Sequence, residues 1–390
     1  LWIVVPAVGD ASGPLLINPH GRRVTSLDGE WRTIVDPYET GYYDYRYQPT
    51  KDGYFRNAKP KDLSDRVEYD FDTSPALQVP GDWNSQRESL LFYEGTIWYK
   101  TSFDIEPREK SRFFLYFGAV NYKSHIFLNG ELLGEHEGGF TPFNFEITNR
   151  VRAQCNDLIV KVDNKRLHDG VPTLQTDWWN YGGLTRSVLL VTVPETFIRS
   201  YHVQLARGSQ DKLAGWVQLD GPESGGQSVR LQIAEATIDR TLVTDSEGRA
   251  DFELAARLAL WSPENPERYR VALETEQDRI EEEIGFRTLG TRGHEILLNG
   301  EPIFLRGISI HEEAPWRMGR AHCREDAGKL LGWAKAVARR KRRAARDAER
   351  LGLTPGELRE AATEVGRAHD DYVEARDTFV KHNLRPVSYT

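Results

Sequence analysis

From about Leu15 to Pro194 the chain is a succession of short runs in which apolar and polar residues alternate, each cut off by glycine, proline, asparagine or aspartate. Alternation of that kind is the signature of half-buried strands, and frequent turn residues keep those strands short. Clear examples are TIWYKTSFDI at 96–105, RFFLYFGAV at 112–120, SHIFLNGELLG at 124–134 and DLIVKVDN at 157–164. Asn129-Gly130 lies between two apolar runs, where both residues can take the left-handed conformation of a two-residue hairpin turn. The pattern predicts a β-sandwich of jelly-roll type over 15–194.

A second strand-rich block covers 195–288. SVRLQIAEA at 228–236 and RYRVALETE at 268–276 flank the turn-forming WSPENPE, a spacing suited to a smaller immunoglobulin-like sandwich with a spacer role. Over 289–335 the character changes. The hairpin-like HEILLNGEPIFLRGISIHEE leads into an expected buried strand, IFLRGISI, and a helical pattern runs from about Arg324 to Lys335. Strand followed by helix is the first unit of a β/α barrel, whose active site lies at the C-terminal ends of its strands. From 336 to 390 the chain reads as a divergent, charged helical tail. Thr354, Pro355 and Glu357 suit a helix start, and Leu358, Ala362, Val365, Tyr372 and Phe379 recur near helical spacing. The expected fold class is therefore mainly β, with two sandwiches, the start of a β/α barrel and a helical tail.

The segment richest in chemistry is DWWNYGG, 177–183, held between strand-forming runs. Asp177 can accept hydrogen bonds from vicinal hydroxyls, and Trp178 and Trp179 offer flat apolar faces to the C–H side of a pyranose. A carbohydrate is the ligand such a loop suits. The bland alternative is a surface turn whose tryptophans fold back into the core.

Ten tryptophans and sixteen tyrosines strengthen the carbohydrate reading, and a net charge of -8 argues against nucleic acid or an anionic membrane as a general partner. No segment approaches the roughly 20 apolar residues of a membrane span. Cys155 and Cys323 are far apart and show no metal-ligand spacing, so no zinc site or disulfide framework can be argued from them, and no metal or other cofactor is assigned. The opening LWIVVPAV resembles the end of a signal peptide's apolar region, yet no basic stretch or initiator methionine precedes it. Compartment stays open between periplasm, secretion and cytoplasm.

LDGEW at 27–31, VPGDWN at 79–84, GTIWYKTSF at 95–103, HIFLNGELLGEHEGGFTPFNFEIT at 125–148, DWWNYGGLTRSV at 177–188, LWSPENPERY at 260–269, GFRTLG at 285–290 and LNGEPIFLRGISIHEE at 298–313 follow one another in order. Together they resemble the N-terminal half of glycoside hydrolase family two, the β-galactosidase and β-glucuronidase family, over roughly 15–335. The resemblance implies a jelly roll that sends a loop into a barrel mouth to hold the glycone. It assigns substrate contact to Asp177, Trp178, Asn180 and Tyr181 on that loop, Asn180 and Tyr181 giving it a glucuronidase-like look. It assigns the same to His311 and Glu312 after the first barrel strand.

The pattern stops near Lys335. A retaining glycosidase places two carboxyl groups about 5–5.5 Å apart. In the family both come from later strands, one after an asparagine, and the sequence holds no Asn-Glu dipeptide. Glu312 and Glu313 point to opposite sides of an extended segment and do not make such a pair. The leading expectation is thus a carbohydrate-binding, non-cleaving part of a β-glycosidase, with no catalytic residue of its own. Two alternatives stand beside it. One is an active enzyme completed by a second chain that supplies the rest of the barrel, a homo-oligomer being the alternative protein partner. The other is an adaptor that binds through the basic run Arg339 to Arg343.

Overall fold

The structure, a computed structural model, describes residues 13–49, 69–106, 108–171, 173–176, 179–305 and 307. Strands dominate these residues, and none of their sheets closes on itself. The first sandwich packs a six-stranded sheet against a four-stranded one. The six-stranded sheet runs in the order Ala76–Val79, Gly29–Asp36, Thr96–Phe103, Asn156–Asp163, Lys123–Leu128 and Glu131–Glu137. The four-stranded sheet runs Arg23–Ser26, Val188–Pro194, Ser111–Phe117 and Phe143–Glu146. Every pairing is antiparallel, as expected of strands joined by short turns.

Alternation sets which side chains meet between the sheets. Trp31, Ile97, Tyr99, Ile126, Val160 and Val162 come from one sheet and Leu115, Phe117, Phe143, Phe145 and Leu190 from the other. Phe117 and Phe143 stack at 4.9 Å between centroids. The expected hairpin is present, with Leu128 paired to Glu131 and both Asn129 (φ 52) and Gly130 (φ 91) left-handed. On the outer face of the six-stranded sheet, Trp98, Phe127 and Ile159 form a second apolar layer covered by Tyr42 and Phe71.

The second sandwich faces the three strands Phe197–Leu205, Lys212–Asp220 and Arg249–Ala255 against four, Ile238–Val243, Ser228–Ile233, Tyr269–Glu274 and Arg279–Ile284. Leu213, Val217, Leu231, Val271 and Phe286 fill the space between them. Seven strands in a three-plus-four arrangement match the immunoglobulin-like architecture. Where the sandwiches join, the Arg22, Arg112 and Arg199 guanidiniums lie 5.4, 5.1 and 5.6 Å from the Phe197 ring centroid. Asp278 and Asp220 accept from Arg22 and Arg112 at 3.2 and 2.9 Å, tying the first sandwich to the second.

The run expected as the buried strand IFLRGISI begins as the last arm of a three-stranded meander, Leu289–Arg292, Glu295–Leu298 and Glu301–Ile303. Its next residues are open to solvent, Phe304 at 84% and Leu305 at 65%. Residues 306 and 308–310 of that run lie outside the described residues. The helix from Arg324, the tail 336–390, His311 and Glu312 lie outside the described residues.

Candidate glycone-holding loop

Asp177 and Trp178 also lie outside the described residues, but both flanks of their loop are defined. Four other stretches of chain hold those flanks, and they do it mainly with asparagine amides. Asn180 is 5% exposed and donates from Nδ2 to the Asn164 carbonyl at 2.5 Å. Asn164 returns the bond to the Asn180 carbonyl at 3.0 Å, and its Oδ1 accepts from the Gly95 N–H at 2.9 Å. The Asn121 amide donates to the Tyr181 carbonyl. Asn84 accepts the Gly182 N–H at 3.0 Å on Oδ1 and donates from Nδ2 to the Leu90, Leu91 and Tyr93 carbonyls at 3.1–3.2 Å.

Backbone bonds complete the seat. Trp83 N–H donates to the Gly182 carbonyl at 2.9 Å and Gly81 N–H to the Leu184 carbonyl at 2.8 Å. Gly183–Leu184 forms a two-residue ladder with Val120–Asn121. Two glycines are required at the seat for different reasons. A Cβ on Gly182 would sit 2.0 Å from the Trp83 ring, and Gly183 has φ +133, a conformation that other residues rarely adopt. A buried backbone group without a partner costs about 1–3 kcal/mol, so these amides are what allows an irregular loop to run through a buried position.

Outside this seat the loop presents rings. Trp179 is half-buried and tilts against the exposed Phe92 at 5.5 Å between centroids. The Arg166 guanidinium bridges the Thr176 carbonyl at 3.1 Å and Glu94 at 3.2 Å, fastening the start of the loop. Beneath, the Tyr93 hydroxyl donates to the Thr96 carbonyl at 2.9 Å, and burial pushes its pKa up, with Asp36 and Asp163 adding to the shift. Tyr93 therefore stays a neutral strut.

Of the residues expected to touch sugar, Asn180 is placed with its amide turned inward, so it braces the loop instead of presenting donors outward. Tyr181 stands beside it, half-buried, with its carbonyl held by Asn121. The bracing residues Asn84, Asn121 and Asn164 were not singled out from sequence. A signal was present: each follows an apolar or aromatic run, in VPGDWN, FGAVN and VKVDN.

Residues 24–194 match the family model described as the sugar binding domain of glycosyl hydrolases family 2, and residues 196–287 match the adjoining family 2 model. The chain belongs to glycosyl hydrolase family 2. A putative β-glucuronidase of Formosa agariphila is 27% identical over 255 residues, 61% of this chain and 31% of the relative. A β-galactosidase of Thermoanaerobacter pseudethanolicus is 26% identical over 282 residues, 66% and 38% of the two chains. Human β-glucuronidase is 24% identical over 340 residues, 76% and 50%. Among solved structures, a Ruminococcus gnavus β-glucuronidase superposes with a TM-score of 0.59 at 25% identity, covering 76% of this chain and 49% of that one. A Bifidobacterium dentium β-glucuronidase, at 24% identity and a TM-score of 0.62 over 82% and 57%, shares the fold. This family 2 chain thus spans about a third to a half the length of the curated relatives it matches.

Proposed function

We propose that the chain carries the sugar-side modules of a retaining β-glycosidase of the β-glucuronidase or β-galactosidase type, and that it does not cleave glycosides by itself. In this reading 15–194 is the sugar-binding jelly roll, 195–288 the spacer, 289–335 the first barrel unit and 336–390 a divergent tail. Asp177 accepts from glycone hydroxyls, Trp178 stacks on the ring, Tyr181 lines the site, and His311 and Glu312 add contacts from the barrel side. Asn180 acts by holding the loop.

The observation that supports this best is the loop seat itself. Three buried asparagines beside Asn180 fasten both flanks of a short segment whose sequence is aromatic and acidic. Such preorganisation lowers the entropy lost when a small polar ligand binds. Bond cleavage needs a second element, a pair of facing carboxyls about 5–5.5 Å apart. No Asn-Glu dipeptide of the family's acid/base type occurs in the sequence.

The test has two arms. Nitrophenyl β-glucuronide and β-galactoside should release no chromophore with the chain alone, whereas titration with glucuronate or galactose should give a saturable tryptophan fluorescence change that Asp177→Ala removes. Steady turnover, or no saturable change with either sugar, overturns the reading. In one variant of this reading a second polypeptide completes the barrel. Activity that appears only on mixing with a polypeptide carrying the later strands would establish that variant.

A further inference from the structure

Residues 36–49, DPYETGYYDYRYQP, form a strap on the outer face of the six-stranded sheet, away from the core between the sheets. Its inner half is fastened at three points. The buried Asp36 carboxylate accepts from the Thr40 and Gly41 N–H groups at 2.9 and 3.1 Å and from Trp98 Nε1 at 3.0 Å. Glu39 pairs with Lys161 at 2.7 Å and Lys165 at 3.0 Å. Tyr42 is buried against His125, 4.6 Å between centroids, with the Lys161 ammonium 4.9 Å from its ring centre.

The outer half is a closed turn. Asp44 Oδ1 accepts from the Arg46 and Gln48 N–H groups at 2.8 and 3.0 Å. The Asp44 carbonyl accepts from the Tyr47 N–H at 3.0 Å, and the Asp44 N–H donates to the Gln48 carbonyl at 2.8 Å. On this rigid frame three rings face solvent: Tyr38 is 79% exposed, Tyr45 84% and Tyr47 77%. The Arg46 guanidinium stacks on Tyr45 at 5.1 Å, and Tyr43 props Tyr47 at 6.2 Å between centroids.

Exposed rings on a tied-down turn contribute little to folding, because their apolar faces remain in water. They are well suited to binding. A tyrosine has two side-chain torsions to freeze, and its backbone here is already fixed. Between Pro37 and Pro49 there is no aliphatic side chain, only tyrosines with Glu, Thr, Gly, Asp, Arg and Gln. Flat rings edged by hydroxyl, amide and guanidinium groups match the C–H face and hydroxyl rim of a pyranose. The charges are already engaged: Glu39 by two lysines, Asp44 by backbone N–H groups and Arg46 by the Tyr45 ring. A neutral ligand fits best.

We propose that the turn Tyr38 to Gln48 is a platform for a neutral polysaccharide chain, distinct from the Asp177 loop and independent of the function assigned to that loop. Tyr45 and Tyr47 stack on successive sugar rings, and Arg46 and Gln48 reach their hydroxyls.

Affinity electrophoresis of the full chain in gels containing mixed-linkage β-glucan, β-1,4-galactan, arabinoxylan or galactomannan tests it. Retardation is expected on at least one polymer. The double variant Tyr45→Ala/Tyr47→Ala should migrate as in a polymer-free gel, its Kd raised at least about tenfold, with an unchanged thermal midpoint because both side chains are exposed. Trp179→Ala should remain retarded. Three results would overturn the proposal: no retardation on any of the four polymers, retardation untouched by the double variant, or a wild-type dimer that the double variant converts to monomer, which would make this face a contact between copies.

Discussion

The two sandwiches spend their polar residues in opposite ways. In the first, Asn84, Asn121, Asn156, Asn164, Asn180, Asp36, Asp82, His125 and Lys161 are buried. Their partners include backbone groups of loops, and charges beneath a strap. In the second, Thr244 is the buried polar residue away from the junction, and the charged pairs sit outside, Arg230 with Asp239, Arg249 with Asp251 and Arg268 with Glu283. A sandwich needs no inward-facing amides to fold, as the second one shows. Those of the first hold irregular chain in place, and that chain is the part with candidate ligand chemistry.

The largest effect should come from Asn164→Ala, which leaves the Gly95 N–H and the Asn180 carbonyl without their partner. Two orphaned buried groups predict a loss of about 4 kcal/mol in urea unfolding. A loss below about 1 kcal/mol would erase the contrast between the sandwiches. Gly182→Ala, which drives a methyl into the Trp83 ring, should cost about 3 kcal/mol and alter near-ultraviolet circular dichroism. A matching change on the meander that follows the second sandwich, Gly290→Ala, has open space around it and should stay within about 0.5 kcal/mol.

The buried histidine sharpens the comparison through pH. Burial drives the His125 imidazole from 6.5 down to about 3, with Lys161 and Lys123 adding to the shift and Glu39 opposing it. Its Nε2 lies 3.1 Å from Glu135, so the neutral ring keeps a hydrogen bond there. Between those two pH values only the unfolded chain takes up this proton. Stability therefore falls on acidification below 6.5, at up to about 1.4 kcal/mol per pH unit, or about 2 kcal/mol by pH 5. His125→Gln should flatten that slope in a urea series. Glu39, which burial raises but Lys161 and Lys165 together hold below its ordinary 4.5, adds a further loss only at lower pH. Smallest of all is Arg230→Ala, which breaks an exposed pair and should change unfolding by less than about 0.5 kcal/mol.

Much of the fold was legible because it is local. Period-two alternation in TIWYKTSF and LIVKV marks strands, and Asn129-Gly130 marks its own hairpin, since each signal is read within a few residues. Leu305, 65% exposed, shows the limit of that rule: apolar composition says what a residue prefers, not where it ends up. The candidate site was legible only as a composition, DWWNYGG. Its bracing was not, because an amide can bond any backbone group and sequence distance carries no trace of the choice. Asn84 meets Gly182 across 98 positions and Asn164 meets Asn180 across 16. The apolar or aromatic run before each of Asn84, Asn121 and Asn164 hints at burial but does not name the partner.

The seat of the loop draws on Gly81, Asn84, Gly95, Asn121 and Asn164, pieces that lie next to one another only once the whole first sandwich has closed. The heptapeptide is therefore not portable. Spliced into a foreign scaffold it would arrive without its props, and a lineage that reshapes its ligand preference must leave Asn180, Gly182 and the scaffolding that holds them alone.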